Sequence, residues 1–307
     1  MLMLVAIVNA GVALACLWDS DTFAEEALTQ KDVAAIVQGK LGKHSEYFYE
    51  EKAAYTKRLI DAADAGMERY DDLAVAYDKL GKLDDAIAVM KAKEARFPNQ
   101  YTTLANLGSF HAHKGEYEKA LELLNAAIKM NPDAHFGREK FQVMAIRYLQ
   151  ALAKDPKLAE QKDLLGVEIS DEHRLMFGDF GKKKKGEQTG LEKAGISKDV
   201  FVALAGIIRF GSGEKSAHLW MSLGVACALQ GDRHLAIRAF ARAKELGHPR
   251  GADLVLAMSR TLKDFDGKPD FERLRKEFEK GLEEMKAAQD REDALIKAGK
   301  LKQAFGY

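Results

Sequence analysis

The residues of this sequence that could do chemistry are few, and their spacing does not bring them to one site. His111 and His113 lie about 200° apart around a helix, whereas metal-binding histidines on a helix stand three or four residues apart. Cys227 lies among apolar residues at helical spacing, so we expect a buried thiol rather than a nucleophile. Cys16 is the only other cysteine, which excludes a disulfide framework and a Cys-x-x-Cys metal site. We therefore expect no metal site and no cofactor.

Sequence motifs of catalysis are also missing. The chain has no Gly-x-Ser-x-Gly elbow, no His-Glu-x-x-His, no phosphate loop ending in Gly-Lys-Ser/Thr and no dinucleotide fingerprint. We expect no catalytic residues and a protein that is not an enzyme. One alternative stays open, an enzyme or enzyme subunit in which residues 161–195 cover a site.

The charge balance argues against a broad nucleic-acid surface. The 307 residues include 47 basic and 47 acidic ones, so the formal net charge is zero, and we expect no nucleic-acid partner. One local excess stands out between Gly181 and Gly186, formed by Lys182, Lys183, Lys184 and Lys185. These lysines are candidate contacts to an anionic surface. The alternative is a solvated, flexible insertion, because no aromatic residues alternate with them.

The first fifteen residues are apolar and end in Ala13-Leu14-Ala15. A run of this length is short for a membrane span and is typical of a secretory signal peptide, although no Lys or Arg precedes it. An apolar first helix or a wrongly assigned start codon is the alternative. Cys16 follows directly and is a candidate lipidation site, since a small-residue run before a Cys resembles the lipobox of bacterial lipoproteins. We expect export to the periplasm or envelope, with membrane contact only if Cys16 is lipidated; a cytoplasmic protein is the alternative.

A pattern with a fixed period organises the middle of the chain. Gly81 recurs as Gly115, Ala86 as Ala120 and Pro98 as Pro132, always at the same offset. A fixed period in the range of about 20 to 50 residues indicates a helix–turn–helix unit that is copied and stacked. The glycines allow a left-handed turn between two helices, and the prolines end the second helix of each unit.

These residues resemble the tetratricopeptide repeat family. The second copy matches the family pattern most closely, with Leu104, Leu107, Gly108, His111, Gly115, Tyr117, Ala120, Leu124, Ala127 and Pro132. The first copy follows it from Tyr70 to Pro98 but has Lys93 where the family has Ala, and a third copy covers Ser216 to Pro249. The segment Cys16–Thr22 also resembles the opening of exported bacterial proteins of this family that have no assigned role.

The resemblance implies an all-α solenoid with degenerate repeats, an insertion and a C-terminal capping helix. We expect these segments: 1–15, the signal peptide; 16–66, N-terminal helices that cap the solenoid; 67–134, two repeats; 135–160, a degenerate repeat; 161–195, a flexible Lys/Gly-rich insertion; 196–250, a degenerate helix and the third clear repeat; 251–307, C-terminal amphipathic helices. The last segment is expected to seal the stack, as one helix or as two broken near Gln289. Its alternative roles are dimerisation and occupation of the binding groove.

The resemblance also implies a function. First helices of stacked repeats line a concave groove that holds another protein, so we expect a non-catalytic scaffold or adaptor of the cell envelope. The alternative is an intracellular adaptor that meets an anionic partner through the lysines. The groove residues implied are Asp71, Val75, Asp78, Lys79, Thr102, Ala105, Asn106, Ser109, His113, Met221, Ser222 and Val225. A subclass of the family grips a C-terminal carboxylate with Lys and Asn, and Asp71 and Val75 at those places argue against that mode.

Overall fold

Helices form the regular structure of the part of the chain that a computed structural model describes, apart from one isolated bridge between Lys162 and Glu168. The described residues are 17–20, 33–63, 65–132, 137–171 and 189–306. The predicted signal peptide, Cys16 and the four lysines at 182–185 lie outside them. No described helix is both long enough and apolar enough to cross a bilayer.

Fifteen α-helices follow one another in these ranges. They are α1 Val33–Val37, α2 Glu46–Asp61, α3 Met67–Lys79, α4 Leu83–Arg96, α5 Tyr101–His113, α6 Tyr117–Met130, α7 Arg138–Lys154, α8 Leu158–Gln161, α9 Gly190–Lys193, α10 Val200–Arg209, α11 Ala217–Gln230, α12 Arg233–Glu245, α13 Gly251–Ser259, α14 Phe271–Lys297 and α15 Leu301–Ala304. Short 3₁₀ turns lie at Gly213–Lys215 and Lys263–Phe265. The predicted all-helical solenoid is confirmed.

Three helix pairs, α3–α4, α5–α6 and α11–α12, share the same turn. Gly81, Gly115 and Gly231 have φ of 71°, 77° and 94°, in the left-handed region that a side chain would strain. In each turn the glycine N–H donates to the carbonyl oxygen three residues before it. The period of the sequence pattern therefore corresponds to a real helix–turn–helix unit.

Two of these pairs, α5–α6 and α11–α12, also share one close approach. In α5, a side chain at Gly108 would meet Leu124 of α6, with a Cβ only 2.7 Å from its Cγ. In α11, a Cβ at Gly224 would lie 2.5 Å from the ring of Phe240, which occupies the equivalent position in α12. A small residue opposite a large one is what lets the two helices of these two units pack closely.

Consecutive helices from α2 to α7 pack on each other, and α7 then packs on α10, which continues into α11, α12 and α13. Residues 161–195 are predicted to be a flexible insertion, and both described ends of this segment pack into the protein. On the N-terminal side, which ends at residue 171, Leu164 and Ile169 are buried. On the C-terminal side, which begins at residue 189, Leu191 of α9 is buried, and a capping box of Thr189 and Glu192 starts that helix.

The C-terminal helix α14 crosses the molecule. It is continuous through Gln289 and ends before Gly299, so of the two alternatives, one helix or two broken near Gln289, the structure has the single helix. Its first half packs on α12 and its second half on α2. Gln289 donates to the Lys43 carbonyl oxygen at 2.8 Å, and Ile296 joins Phe48 and Phe305 in a separate apolar cluster. The helix thus connects the third repeat to the start of the solenoid.

Candidate functional site

The face formed by α3 and α5, which we call the concave face, is covered by residues 17–20 of the same chain. Leu17 is fully buried in an apolar cluster with Tyr70 and Val75 of α3 and Phe110 of α5. Leu17, Trp18 and Asp19 are not helical. The predicted groove is therefore occupied in this structure, and the occupant shows which contacts the face offers.

Asn106 of α5 binds the backbone of Trp18 through both halves of its side-chain amide. The Trp18 N–H donates to Asn106 Oδ1 at 2.8 Å, and Asn106 Nδ2 donates to the Trp18 carbonyl oxygen at 3.0 Å. The indole ring meets Tyr101 edge-on at a centroid distance of 5.8 Å. The fully buried side chain of Asn106 thus satisfies both the N–H and the carbonyl group of Trp18. This contact therefore recognises the main chain of the bound residue rather than its side chain.

A buried network beneath Asn106 fixes the orientation of its amide. Asn106 Nδ2 also donates to Asp71 Oδ1 at 3.1 Å. Lys93 Nζ and Thr102 Oγ1 donate to Asp71 Oδ2 at 2.5 and 3.1 Å. Burial raises the pKa of Asp71 to about 6, although the ammonium group of Lys93 opposes that shift. Because Asp71 Oδ1 accepts a hydrogen bond from Asn106 Nδ2, the amide group of Asn106 is held in one orientation. In that orientation its nitrogen faces the Trp18 carbonyl oxygen and its oxygen faces the Trp18 N–H.

Lys93 was missed as a site residue by the sequence reasoning, although a signal was present. It stands where the family pattern has a small Ala, and its side chain is fully buried. A lysine in the core needs an acidic partner, and Asp71 of the preceding helix supplies it. The departure from the repeat pattern is thus a component of the network under Asn106.

The next two residues of the segment meet charged groups. Asp19 Oδ2 lies 3.3 Å from Nζ of the fully buried Lys52, which also lies 3.8 Å from Asp72 Oδ1. Ser20 donates to Asp72 twice, from its N–H to Oδ1 at 2.9 Å and from its hydroxyl to Oδ2 at 3.1 Å. Arg69 donates to the same Oδ2 at 2.8 Å. Lys52 and Asp72 were not predicted site residues, because nothing local in the sequence places α2 beside α3.

The far end of the concave face is closed by another part of the chain. Lys79 donates to the Phe210 carbonyl oxygen and to Ser212 Oγ, the latter at 3.3 Å, and burial lowers its pKa to about 8. His113 Nδ1 and Asp78 Oδ1 are 2.5 Å apart, and Gln142 of α7 donates to Ser109 at 3.2 Å. Val75 and Ala105 of the same two helices are also buried. The predicted residues of the first two repeats therefore do meet on one face, but this face is not open.

The predicted groove residues of the third repeat do not line an open surface either. Met221, Ser222 and Val225 of α11 are fully buried in the main core. A covering segment that contains Leu164 packs over them, and the Leu164 N–H donates to Ser222 Oγ at 3.2 Å. These three residues were predicted to line an exposed groove, but the covering segment buries them.

Neighbouring Asp163 is a buried acid in the covering segment. Its Oδ1 accepts hydrogen bonds from the N–H groups of Val167 and Leu165 at 2.8 and 3.1 Å. Burial raises its pKa to about 7. Within the described ranges no three His, Cys, Asp or Glu side chains are grouped as metal ligands.

Comparison with known proteins finds one family over the first two repeats. Residues 72–135 match the family model of the tetratricopeptide repeat, and this is the region in which the sequence pattern predicts two such repeats. Repeats of this family generally serve as non-catalytic scaffolds for contacts between proteins. The concave face of these two repeats is where the present structure places an ordered peptide segment.

The chain is also similar to one individual protein over part of its length. Over 81 residues the chain is 35% identical to tetratricopeptide repeat protein 19, mitochondrial, of Rattus norvegicus. The matched stretch covers 25% of this chain and 21% of the rat protein. The chain thus spans about a fifth of the length of that relative, and the similarity concerns the repeats.

Proposed function

We propose that this protein is a non-catalytic scaffold of the cell envelope that holds a partner protein by a non-helical segment on the concave face of α3 and α5. The observation that carries the proposal is the double hydrogen bond of Asn106 to the backbone of Trp18. In a helix these backbone groups would bond internally, so the amide of Asn106 selects a segment whose main chain is free to bind.

The envelope location rests on the apolar residues 1–15 and the Ala-Leu-Ala sequence before Cys16. Intact mass and subcellular fraction of the protein from its own host test it. Loss of the first fifteen residues supports export, and an added acyl mass on Cys16 supports a lipoprotein. An intact Met1 in the cytoplasmic fraction overturns export and favours an intracellular adaptor.

Partner binding is tested by a photoreactive amino acid placed at the edge of the concave face. Glu68 is exposed in α3, one helical turn before Asp72 and therefore on the same side of the helix. Asn125 is exposed on α6, away from that face, and is the matched control position. We expect irradiation in the native host to link a second protein at position 68 and not at 125. No heterologous adduct at 68, or equal adducts at both positions, would overturn the proposal.

A further inference from the structure

Residues 17–20 are held by a site that specifies more than a main chain. We infer that this segment is an internal competitor, and that the site beneath it binds a partner segment of the same chemistry: an aliphatic residue, any residue but proline, an acidic residue, and then a serine or threonine. This inference rests on the proposed function and names the ligand class of its groove.

The first position is aliphatic because Leu17 is fully buried among apolar side chains from α3, α4 and α5. Burial of a leucine side chain contributes roughly 1.5–3 kcal/mol, and a polar residue would forfeit that and lose its hydration. The second position contributes its N–H and carbonyl groups to Asn106. Proline lacks the N–H and is excluded there.

The third position is acidic because of the charges under the segment. Three cationic side chains, Lys52, Arg69 and Lys93, contact two carboxylates, Asp71 and Asp72. Asp19 brings a further carboxylate to Lys52, with its Oδ2 3.3 Å from Nζ. Lys52 is fully buried, and removing a carboxylate from a buried ammonium group is strongly unfavourable, so a neutral or basic residue at this position would bind poorly.

The fourth position carries two donors. The Ser20 N–H and hydroxyl group reach the two oxygens of Asp72, which is itself fully buried. A serine or threonine satisfies both oxygens, alanine leaves one of these bonds unmade, and proline leaves its N–H bond unmade. Four consecutive residues therefore meet four different recognition features, in a fixed order along the face.

Competition follows from the covalent link. A segment attached to its own site acts at an effective concentration on the order of millimolar. A free peptide or partner of equal intrinsic affinity must therefore be present at a comparable concentration to displace it. Weakening the internal segment without touching the site should open the concave face to ligands added from outside.

The test is titration of a labelled peptide with the sequence of residues 17–22, Leu-Trp-Asp-Ser-Asp-Thr, against the full-length protein and two full-length variants. Leu17→Asp places a charge in the apolar pocket, and Asp19→Lys places a second cation beside Lys52. We expect each variant to bind the peptide at least about tenfold more tightly than the unmodified protein does. A control peptide with Lys at its third position should not bind, and Asn106→Ala added to Leu17→Asp should abolish binding.

Circular dichroism and thermal melting accompany each titration. Absence of peptide binding by folded variants, or the same affinity for the unmodified protein and both variants, would overturn the inference. Failure of both variants to fold would also overturn it, because the segment would then be a permanent part of the core. Each of these results leaves the crosslinking test of the proposed function independent, since a partner linked at position 68 would still mark the face as a binding surface.

Discussion

At the scale of single residues, Asn106 combines a donor and an acceptor that no isosteric residue reproduces. Asn106→Asp removes the donor to the Trp18 carbonyl oxygen and places a carboxylate 3.1 Å from Asp71 Oδ1. We expect a loss of about 1–3 kcal/mol in the free energy of unfolding, or more, since both groups are buried and of like charge. Denaturant unfolding measures this loss.

The matched control is Asn125→Asp on α6. Asn125 is exposed, and its side chain donates to the Leu121 carbonyl oxygen of its own helix. The change there should stay within about 0.5 kcal/mol. Equal losses at the two positions would contradict the role assigned to Asn106.

A second residue-scale prediction concerns pH and Asp163. Its folded-state pKa of about 7 lies above the ordinary value of 3.8, so the folded protein binds a proton more tightly there than the unfolded chain does. The contribution of this group to stability is complete below pH 3.8 and is lost as the pH rises to about 7. Asp163→Asn removes this dependence while keeping an acceptor for the N–H groups of Val167 and Leu165.

The unfolding free energy of Asp163→Asn relative to the unmodified protein should therefore increase between pH 4 and 7, by at most about 1.4 kcal/mol per pH unit. His218 and His248 act in the opposite sense, because burial lowers their pKa values to about 4 and about 3. Both proteins contain these histidines, so their effect cancels in the difference. Asp155→Asn at an exposed carboxyl is the control for loss of a charge. A difference that does not vary with pH would disprove the assignment.

At the scale of elements, each repeat depends on small residues where helices meet. Ala120 of α6 is fully buried in a cluster with Ala112 of α5 and Val143 and Ile146 of α7. Ala120→Leu adds volume to a contact of three helices and should destabilise the protein by roughly 1–3 kcal/mol. Ala126→Leu, at an exposed position of the same helix, should have little effect. Thermal melting compares them, and an unchanged midpoint for Ala120→Leu would refute the helix register.

The elements that the sequence predicts well are those whose information is local. Gly81 and Gly115 recur at the repeat period, and Gly231 follows Gly224 at the same spacing at which Gly115 follows Gly108, so local spacing identifies the helix pairs. Lys52 and the segment 17–20 carry no such period. Their meeting with Asp72 depends on how α2 and α3 pack, and a groove derived from the repeats alone leaves out the chain that fills it.

The same limit applies to the third repeat. Met221, Ser222 and Val225 occupy the positions that line a groove in an isolated solenoid, and their burial follows from Leu164 and Ile169 in a segment without periodicity. The glycines and lysines of residues 161–195 led to the expectation of a flexible insertion, whereas the apolar residues at its described ends, Leu164, Ile169 and Leu191, are buried. Composition over a window cannot separate these two contributions.

At the scale of the whole molecule, α14 closes the solenoid by joining α12 to α2. The helix passes the turn at Gln38 and Gly39 so closely that Gly281 has no room for a side chain. A Cβ at position 281 would lie 2.8 Å from the carbonyl carbon of Gln38 and 2.9 Å from that of Gly39, and closer still to the Gln38 carbonyl oxygen. These are backbone atoms on both sides of the contact, so neither can turn away as a flexible side chain would.

Gly281→Ala therefore tests whether α14 is a structural clasp. Alanine favours the helix itself by about 1 kcal/mol, so any loss of stability must come from the crossing. We expect amide hydrogen exchange in the middle of α14 and at residues 38–39 to become about tenfold faster or more, which corresponds to about 1.4 kcal/mol, while α5 and α6 keep their protection. Glu283→Ala, two residues further along and exposed, should leave exchange unchanged or slower. Unchanged protection of α14 in Gly281→Ala would mean that this crossing does not hold the two ends of the solenoid together.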